Sequence, residues 1–431
     1  MGFGEMIEAR EFDRSLGMDY YATESPGCKG VLRQNTKDFL VEEIYEERDY
    51  EGGRYLVIEV EKENWDTHHL IRDISRRLKI SQRRFGWAGT KDKNAITRQR
   101  MSIINLNEEA LERVSFPGVN IKVLGKTNRA ISLGDLLGNR FEVRMRDLAV
   151  NRELAAHRLA KITEEIENLG GLPNYFGVQR FGETRPVTHK VGEALVRGDI
   201  KKAVFIYLAQ PFPGEPETTR KVRTSLWESG DLAEALKDYP FRLRYERAML
   251  NHLMEKEGDY AHAFDVLALN LKRLFVHAYQ SYIFNKILSK RMAAELPLDR
   301  AVAGDVVCFT SQGIPDPKRL QVVDESNLQA VNRLASRGRA YVTLPLFGHQ
   351  SNFSEYLPGE IEREVMEEEG VAFQDFKVES NPDLGSPGLR RSALLKVEPS
   401  CEIEEDESAL LKFSLPPGSY ATVVLREYMK P

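Results

Sequence analysis

Arg83-Arg84-Phe85-Gly86-Trp87-Ala88-Gly89-Thr90-Lys91-Asp92-Lys93-Asn94-Ala95-Ile96-Thr97-Arg98-Gln99 sets one carboxylate between two lysines in a glycine-flanked turn. Residues 71–100 carry ten basic side chains (Arg72, Arg76, Arg77, Lys79, Arg83, Arg84, Lys91, Lys93, Arg98 and Arg100) against two acids, Asp73 and Asp92. Such a local excess reads as a footprint for a polyanion with one negative charge planted inside it. The two lysines would favour the charged form that a nucleophile or base requires. The flanks change period on either side of the turn. Asp66 to Leu78 places Leu70, Ile71, Ile74 and Leu78 at helical spacing behind Asp66 or Thr67 as cap, and residues 97–105 alternate as a strand.

Further out, Phe39 to Ile44 and Tyr55 to Val60 alternate around Glu51-Gly52-Gly53-Arg54, which predicts a β-hairpin. Residues 139–146 alternate as well, and Asn151 opens a helix that runs to Leu169 and stops at Gly170-Gly171. From about residue 185 to 385 the periodic segments are mostly helical (192–209, 231–237, 261–292, 325–337), joined by Pro/Gly-rich stretches such as 210–214 and 381–388. Strand character returns in Leu410 to Leu415 and Ala421 to Arg426. The expected fold class is α+β. One discontinuous domain, 1–184 with 386–431, is built on a mixed, largely antiparallel sheet, and residues 185–385 form a helix-rich α/β insertion.

At 431 residues with 42% hydrophobic and 29% charged side chains, the composition is that of a globular protein of two domains. No run approaches the roughly 20 apolar residues that span a bilayer. Residues 1–10 show no secretory leader, and Gly2 lacks the Ser or Thr at position 6 that acylation would want, so a cytoplasmic location is expected. Cys28, Cys308 and Cys401 are too few and too scattered for a disulfide framework or a zinc site. The net charge of −5 means that any nucleic-acid binding comes from patches. Gly125-Lys126-Thr127 fails as a phosphate loop because position 120 is Asn, and neither a His-Glu-x-x-His nor a Gly-x-Ser-x-Gly element occurs.

Two further segments carry chemistry. Asn174-Tyr175-Phe176-Gly177-Val178-Gln179-Arg180-Phe181-Gly182 packs aromatics, an amide and an arginine between glycines, a composition suited to an extruded nucleobase. Leu415-Pro416-Pro417-Gly418-Ser419-Tyr420-Ala421-Thr422-Val423-Val424-Leu425-Arg426-Glu427 reads as a turn into a final strand. The aromatics at 275, 279, 282 and 284 in the long helix read as core.

In this order, the segments at 89–99, 174–182 and 418–427 resemble the TruD family of tRNA pseudouridine synthases. A looser match lies at Arg390-Arg391-Ser392-Ala393-Leu394-Leu395, and the N-terminal match is imperfect, with Arg33 where a lysine is common. The resemblance implies a pseudouridine synthase catalytic domain interrupted by the family's own insertion (TRUD) domain. It implies isomerisation of uridine in tRNA, at uridine 13, with no cofactor or metal; separately, no heptads or long edge strands in the sequence demand a protein partner, so a monomer is expected. Asp92 would attack either ribose C1′ or uracil C6. Asn174 would orient the carboxylate or hydrogen-bond the base, while Phe39, Phe176 and Tyr420 would line or stack on the uracil. Arg83, Arg84, Lys91, Lys93 and Arg180 would hold RNA phosphates, which supply affinity with little sequence information. The altered residues around 33 leave open a second class, an RNA-binding protein without catalysis.

Overall fold

The computed structural model describes residues 6–47, 49–311 and 313–431. Residues 1–5, including Gly2, lie outside the described residues. The chain divides into two compact units. One comprises Thr23–Leu172 with Leu395–Pro431, and the other comprises Pro173–Leu394 with the segment ending at Ala22. These changeovers fall at 172/173 and 394/395, compared with the 184/185 and 385/386 joints read from the sequence.

The first unit is organised by a nine-stranded sheet. Its main path runs Ser400–Ile403, Ala409–Leu415, Gly138–Arg146, Phe39–Ile44, Ile96–Ile104, Tyr55–Glu63, Val119–Thr127, with Val31–Leu32 paired to Gly138–Arg146 and Phe85–Trp87 paired to Ile96–Ile104. Phe39–Ile44 and Ile96–Ile104 run parallel, and the other registered pairs are antiparallel, so the sheet is mixed and largely antiparallel as expected. The predicted hairpin is corrected. Phe39–Ile44 and Tyr55–Glu63 do not pair with each other, because Ile96–Ile104 inserts between them. Inserting this strand gives both of them a hydrogen-bonded neighbour, and it carries Thr97 and Gln99 into the interior.

The helix Thr67–Leu78 forms as its spacing predicts. Asp66 accepts from the His69 amide at 2.9 Å as its cap, and Lys79 ends it in a left-handed conformation. Its Leu70, Ile71 and Ile74 pack onto Leu56, Ile58, Val60, Met101 and Ile103 of the sheet. Arg152–Asn168 is likewise capped by Asn151.

The last element differs from expectation: Ala421–Met429 is an α-helix, not a strand. Pro416-Pro417-Gly418 ends the strand before it, and a short β-branched run such as Thr422-Val423-Val424 fits either state until tertiary contacts decide. Those contacts are specific. Glu427 accepts from the amide and hydroxyl of Thr23 at 3.1 and 2.9 Å, and Tyr428 meets Thr163 at 2.9 Å.

The second unit is helix-rich, around the 25-residue helix Leu269–Ala293, with a four-stranded antiparallel sheet ordered Ile314–Val322, Val306–Ser311, Ala340–Leu346, Leu389–Ser392. The expected 192–209 helix is two helices, Thr188–Val196 and Ile200–Ala209, divided at Gly198. The expected 261–292 helix is also two, Tyr260–Phe264 and Leu269–Ala293. Phe275, Tyr279 and Phe284 are core residues, as read. Cys28 and Cys308 are buried and Cys401 half-buried, and all three are free thiols. No helix of the described residues is long and apolar enough to cross a membrane.

Candidate active site

Asp92 lies in the irregular loop 88–95 that joins the antiparallel strands Phe85–Trp87 and Ile96–Ile104. Gly86 is there because a Cβ would stand 2.2 Å from the Ile131 carbonyl. A Cβ at Gly89 would meet only Lys91 Nζ, at 3.6 Å, so the second glycine is not demanded by space.

The Asp92 side chain stays 47% exposed and is held by Arg33, whose Nη2 donates to Oδ2 at 2.6 Å. The Arg33 guanidinium also sits over Phe39, 4.2 Å from the ring centroid. The imperfect N-terminal match therefore still supplies the cation that pairs with the candidate nucleophile.

Several expected roles change in this unit. Lys91 turns inward: its side chain is 7% exposed, and its ammonium pairs with the buried Glu43 carboxylate at 2.5 Å. The expectation that it holds phosphate fails, because a charge sealed against a carboxylate is not available to RNA. Arg84 is also committed, donating from Nε to the Ile104 carbonyl at 2.8 Å and from Nη2 to the Ile104 and Asn105 carbonyls. Arg83 and Lys93 remain exposed.

Phe39 is 2% exposed, with Arg33 on its ring and Phe141 edge-on, so it is a floor beneath the ion pair, not an open stacking face. Tyr420 is half-buried at the cap position of Ala421–Met429. The basic excess counted along 71–100 is partly cancelled across the sheet, since Arg98 pairs with Glu42 at 3.1 Å and Glu61 at 2.8 Å.

Three residues that the sequence reading passed over support the loop. Lys62, fully buried, donates to the carbonyls of Trp65 and Asp92 at 2.6 and 3.1 Å. Burial draws its ammonium down to about 8, while Asp66 and Asp92 pull upward and Lys91 adds to the lowering. Gln99 donates to the Gly89 carbonyl at 3.0 Å, and Thr67 accepts from the Lys91 amide at 3.2 Å. Gln99 stood inside the motif. Lys62 and Thr67 gave no signal except as polar residues beginning a helix and ending a strand.

The second unit carries the other expected residues. Asn174 is buried. Its Nδ2 donates to the Ser392 carbonyl and hydroxyl, both at 2.9 Å, and its Oδ1 accepts from Arg391 at 2.6 Å. Both amide hydrogens are thus engaged within the unit, which corrects the expectation that they serve the base or the carboxylate. Arg391 covers the Phe176 ring at 4.3 Å, Phe284 meets it edge-on at 5.4 Å, and Asn285 clamps the Phe176 backbone at N and O. Arg180 donates to Ser281 at 3.0 Å and lies 5.6 Å from the same ring. Arg391, read only as part of a basic entry to the last strands, is the residue that organises Asn174 and Phe176. Among the described residues no group of three or more His, Cys, Asp or Glu side chains could hold a metal ion.

A family model described as tRNA pseudouridine synthase D (TruD) matches residues 15–428. A protein of Methanococcoides burtonii described as a probable tRNA pseudouridine synthase D is 50% identical over 425 residues, covering 97% of each chain. One from Halobacterium salinarum with the same description is 40% identical over 442 residues, covering 99% of each. A crystal structure from Methanosarcina mazei, described as that of a putative tRNA pseudouridine synthase D, superposes with a TM-score of 0.86 at 46% identity, covering 98% of each chain. Fold and sequence together define the class as the pseudouridine synthases, isomerases that act without a cofactor. Within that class, the chain belongs to the TruD family.

Proposed function

We propose that this protein converts uridine 13 of tRNA to pseudouridine with Asp92 as the nucleophile. The observation that carries the reading is the state of the Asp92 loop. Its backbone is tied at Gly89, Lys91 and Asp92, while the Asp92 carboxylate projects, half exposed and paired with Arg33. A carboxylate fixed at its base and open at its tip suits attack on a nucleotide flipped out of its stack.

Attack at ribose C1′ or at uracil C6 uses the same group. In either route the C1′–N1 bond breaks, C5 bonds to C1′, and the C5 proton leaves to a base. Arg33 balances the carboxylate charge before attack and after the enzyme is released. Tyr420 is proposed to supply aromatic surface for the base, and stacking on such a ring contributes roughly 1–3 kcal/mol per base. Arg83, Lys93 and Arg180 are the cations proposed for phosphates, and the helix-rich second unit is proposed to correspond to the family's insertion domain.

The test is pseudouridine mapping on unmodified tRNA. Wild-type protein should modify uridine 13, and Asp92→Asn should lower the single-turnover rate at least about a thousandfold while the Kd for tRNA stays within a few-fold. An active Asp92→Asn protein, or modification of other positions alone, would overturn the reading.

A further inference from the structure

Loop 88–95 has no regular secondary structure, yet buried side chains from three separate elements reach it from below. Gln99 and Thr67 form one support. Gln99 Nε2 donates to the Gly89 carbonyl, its Oε1 accepts from Thr67 Oγ1 at 3.2 Å, and Thr67 Oγ1 accepts from the Lys91 amide. Lys62 forms the other and is the unusual one. A fully buried ammonium is expensive, and a methionine of similar length would pack the same space without the desolvation penalty. The Lys62 ammonium reaches Asp92 not at its carboxylate but at its carbonyl, 3.1 Å away, and reaches the Trp65 carbonyl at 2.6 Å.

We propose that Lys62 is a positioning residue for the nucleophile. Its ammonium ties the Asp92 carbonyl to the Trp65 carbonyl, fixes the direction in which the Asp92 side chain leaves the loop, and places a positive charge behind it. The inference rests on Asp92 being the nucleophile.

The tie has a consequence for pH. The charged groups facing Lys62 are Asp66 at the helix cap and Asp92 and Lys91 of the loop, with Arg33 paired to Asp92 and Glu43 paired to Lys91. Burial brings the ammonium down to about 8, against the upward pull of Asp66 and Asp92. As pH rises through 8 the amine becomes neutral and keeps two N–H donors for its two carbonyls, so the loop stays tied and only the positive charge is lost. Turnover falls on the alkaline side while affinity for tRNA, set elsewhere, is kept.

Two measurements test this. In hydrogen exchange without RNA, Lys62→Met should speed exchange across residues 88–95 at least about tenfold relative to the rest of the sheet. In single-turnover assays Lys62→Met should lower kcat about 30- to 100-fold with KM within threefold, a split that misplacement of a catalytic group produces and global damage does not. Wild-type kcat/KM, which reports groups of the free enzyme, should show a falling limb near pH 8, and Lys62→Arg, which keeps charge and donors at every pH, should move that limb up by about one pH unit or more. Unchanged exchange in Lys62→Met, a wild-type kcat/KM flat from pH 7 to about 9.5, or a limb that Lys62→Arg leaves in place each overturns the proposal. Should Lys62→Met not fold, the wild-type profile and Lys62→Arg still decide. A wild-type protein that makes no pseudouridine sinks the functional reading instead, and the exchange arm remains informative about the tie.

Discussion

At Asp92 the nearest charges in sequence and the nearest charges in space are different residues. Lys91 and Lys93 flank it along the chain, but one is sealed against Glu43 and the other is exposed, while the partner is Arg33, 59 residues away. Arg33 is held by two unlike contacts, the ion pair at 2.6 Å and the cation–π approach to Phe39 at 4.2 Å. Arg33→Met should therefore lower kcat about 10- to 100-fold with tRNA KM within threefold, because the carboxylate loses both its counter-charge and its direction. Arg33→Lys should recover part of the rate, since an ammonium can pair with Asp92 but lacks the planar guanidinium that sits over the ring. A methionine variant with wild-type kcat would remove Arg33 from the mechanism. The candidate nucleophile was legible because its motif is local in sequence. The partners were not, because Arg33 and Asp92 lie in two irregular segments whose approach depends on how distant strands pair, and sequence spacing carries no register.

At the scale of elements, what could be read was whatever is encoded within one element. The helices at 67–78 and 152–168 carry their caps and apolar stripes in their own residues, and both formed as expected. The hairpin at 39–63 and the strand at 421–426 failed for one reason: each was decided by a partner far away, Ile96–Ile104 in the first case and Thr23 and Thr163 in the second. Helix packing in the second unit gives a contest of magnitudes. Gly192 sits within Thr188–Val196, where alanine is preferred by about 1 kcal/mol on propensity alone. A Cβ there would stand 2.0 Å from the Phe275 carbonyl of Leu269–Ala293, so the two helices would have to separate, a strain of about 1–3 kcal/mol or more. Contact wins over propensity, and Gly192→Ala should lower the denaturation midpoint. A raised midpoint would mean that the two helices approach less closely than described.

Over the whole molecule, the two compact units lose stability to acid through different groups and in different pH windows. In the first unit the relevant carboxylates converge on Arg144 and Arg146. Burial raises Asp38, but its bonds from Arg146 and Asn35 outweigh that and leave it lowered, and hydrogen bonds from Ser408 and Arg146 bring Asp406 down to about 2. Depressed carboxylates contribute stability that is present above their unfolded values near 4 and is lost as pH falls through the folded ones. The second unit contains a group of the opposite type. His189 is buried between Phe181, edge-on at 5.2 Å, and Tyr282, stacked at 5.1 Å, and its Nδ1 finds no hydrogen-bond partner among the described residues. Burial, with Lys190 adding, draws its imidazole down to about 3. Below about 6.5 the unfolded chain binds a proton that the folded unit refuses, so this stability is full above 6.5 and is lost as pH falls toward 3, by up to about 1.4 kcal/mol for each pH unit. The second unit should therefore soften between pH 6.5 and 4, before the carboxylates of the first are engaged. His189→Phe keeps an aromatic ring between Phe181 and Tyr282 and removes the titration. Exchange-detected stability of residues 181–196 should fall between pH 7 and 5 in the wild type by about 2 kcal/mol and stay nearly level in the variant. Equal losses in the two proteins would show that another group in the second unit drives the transition.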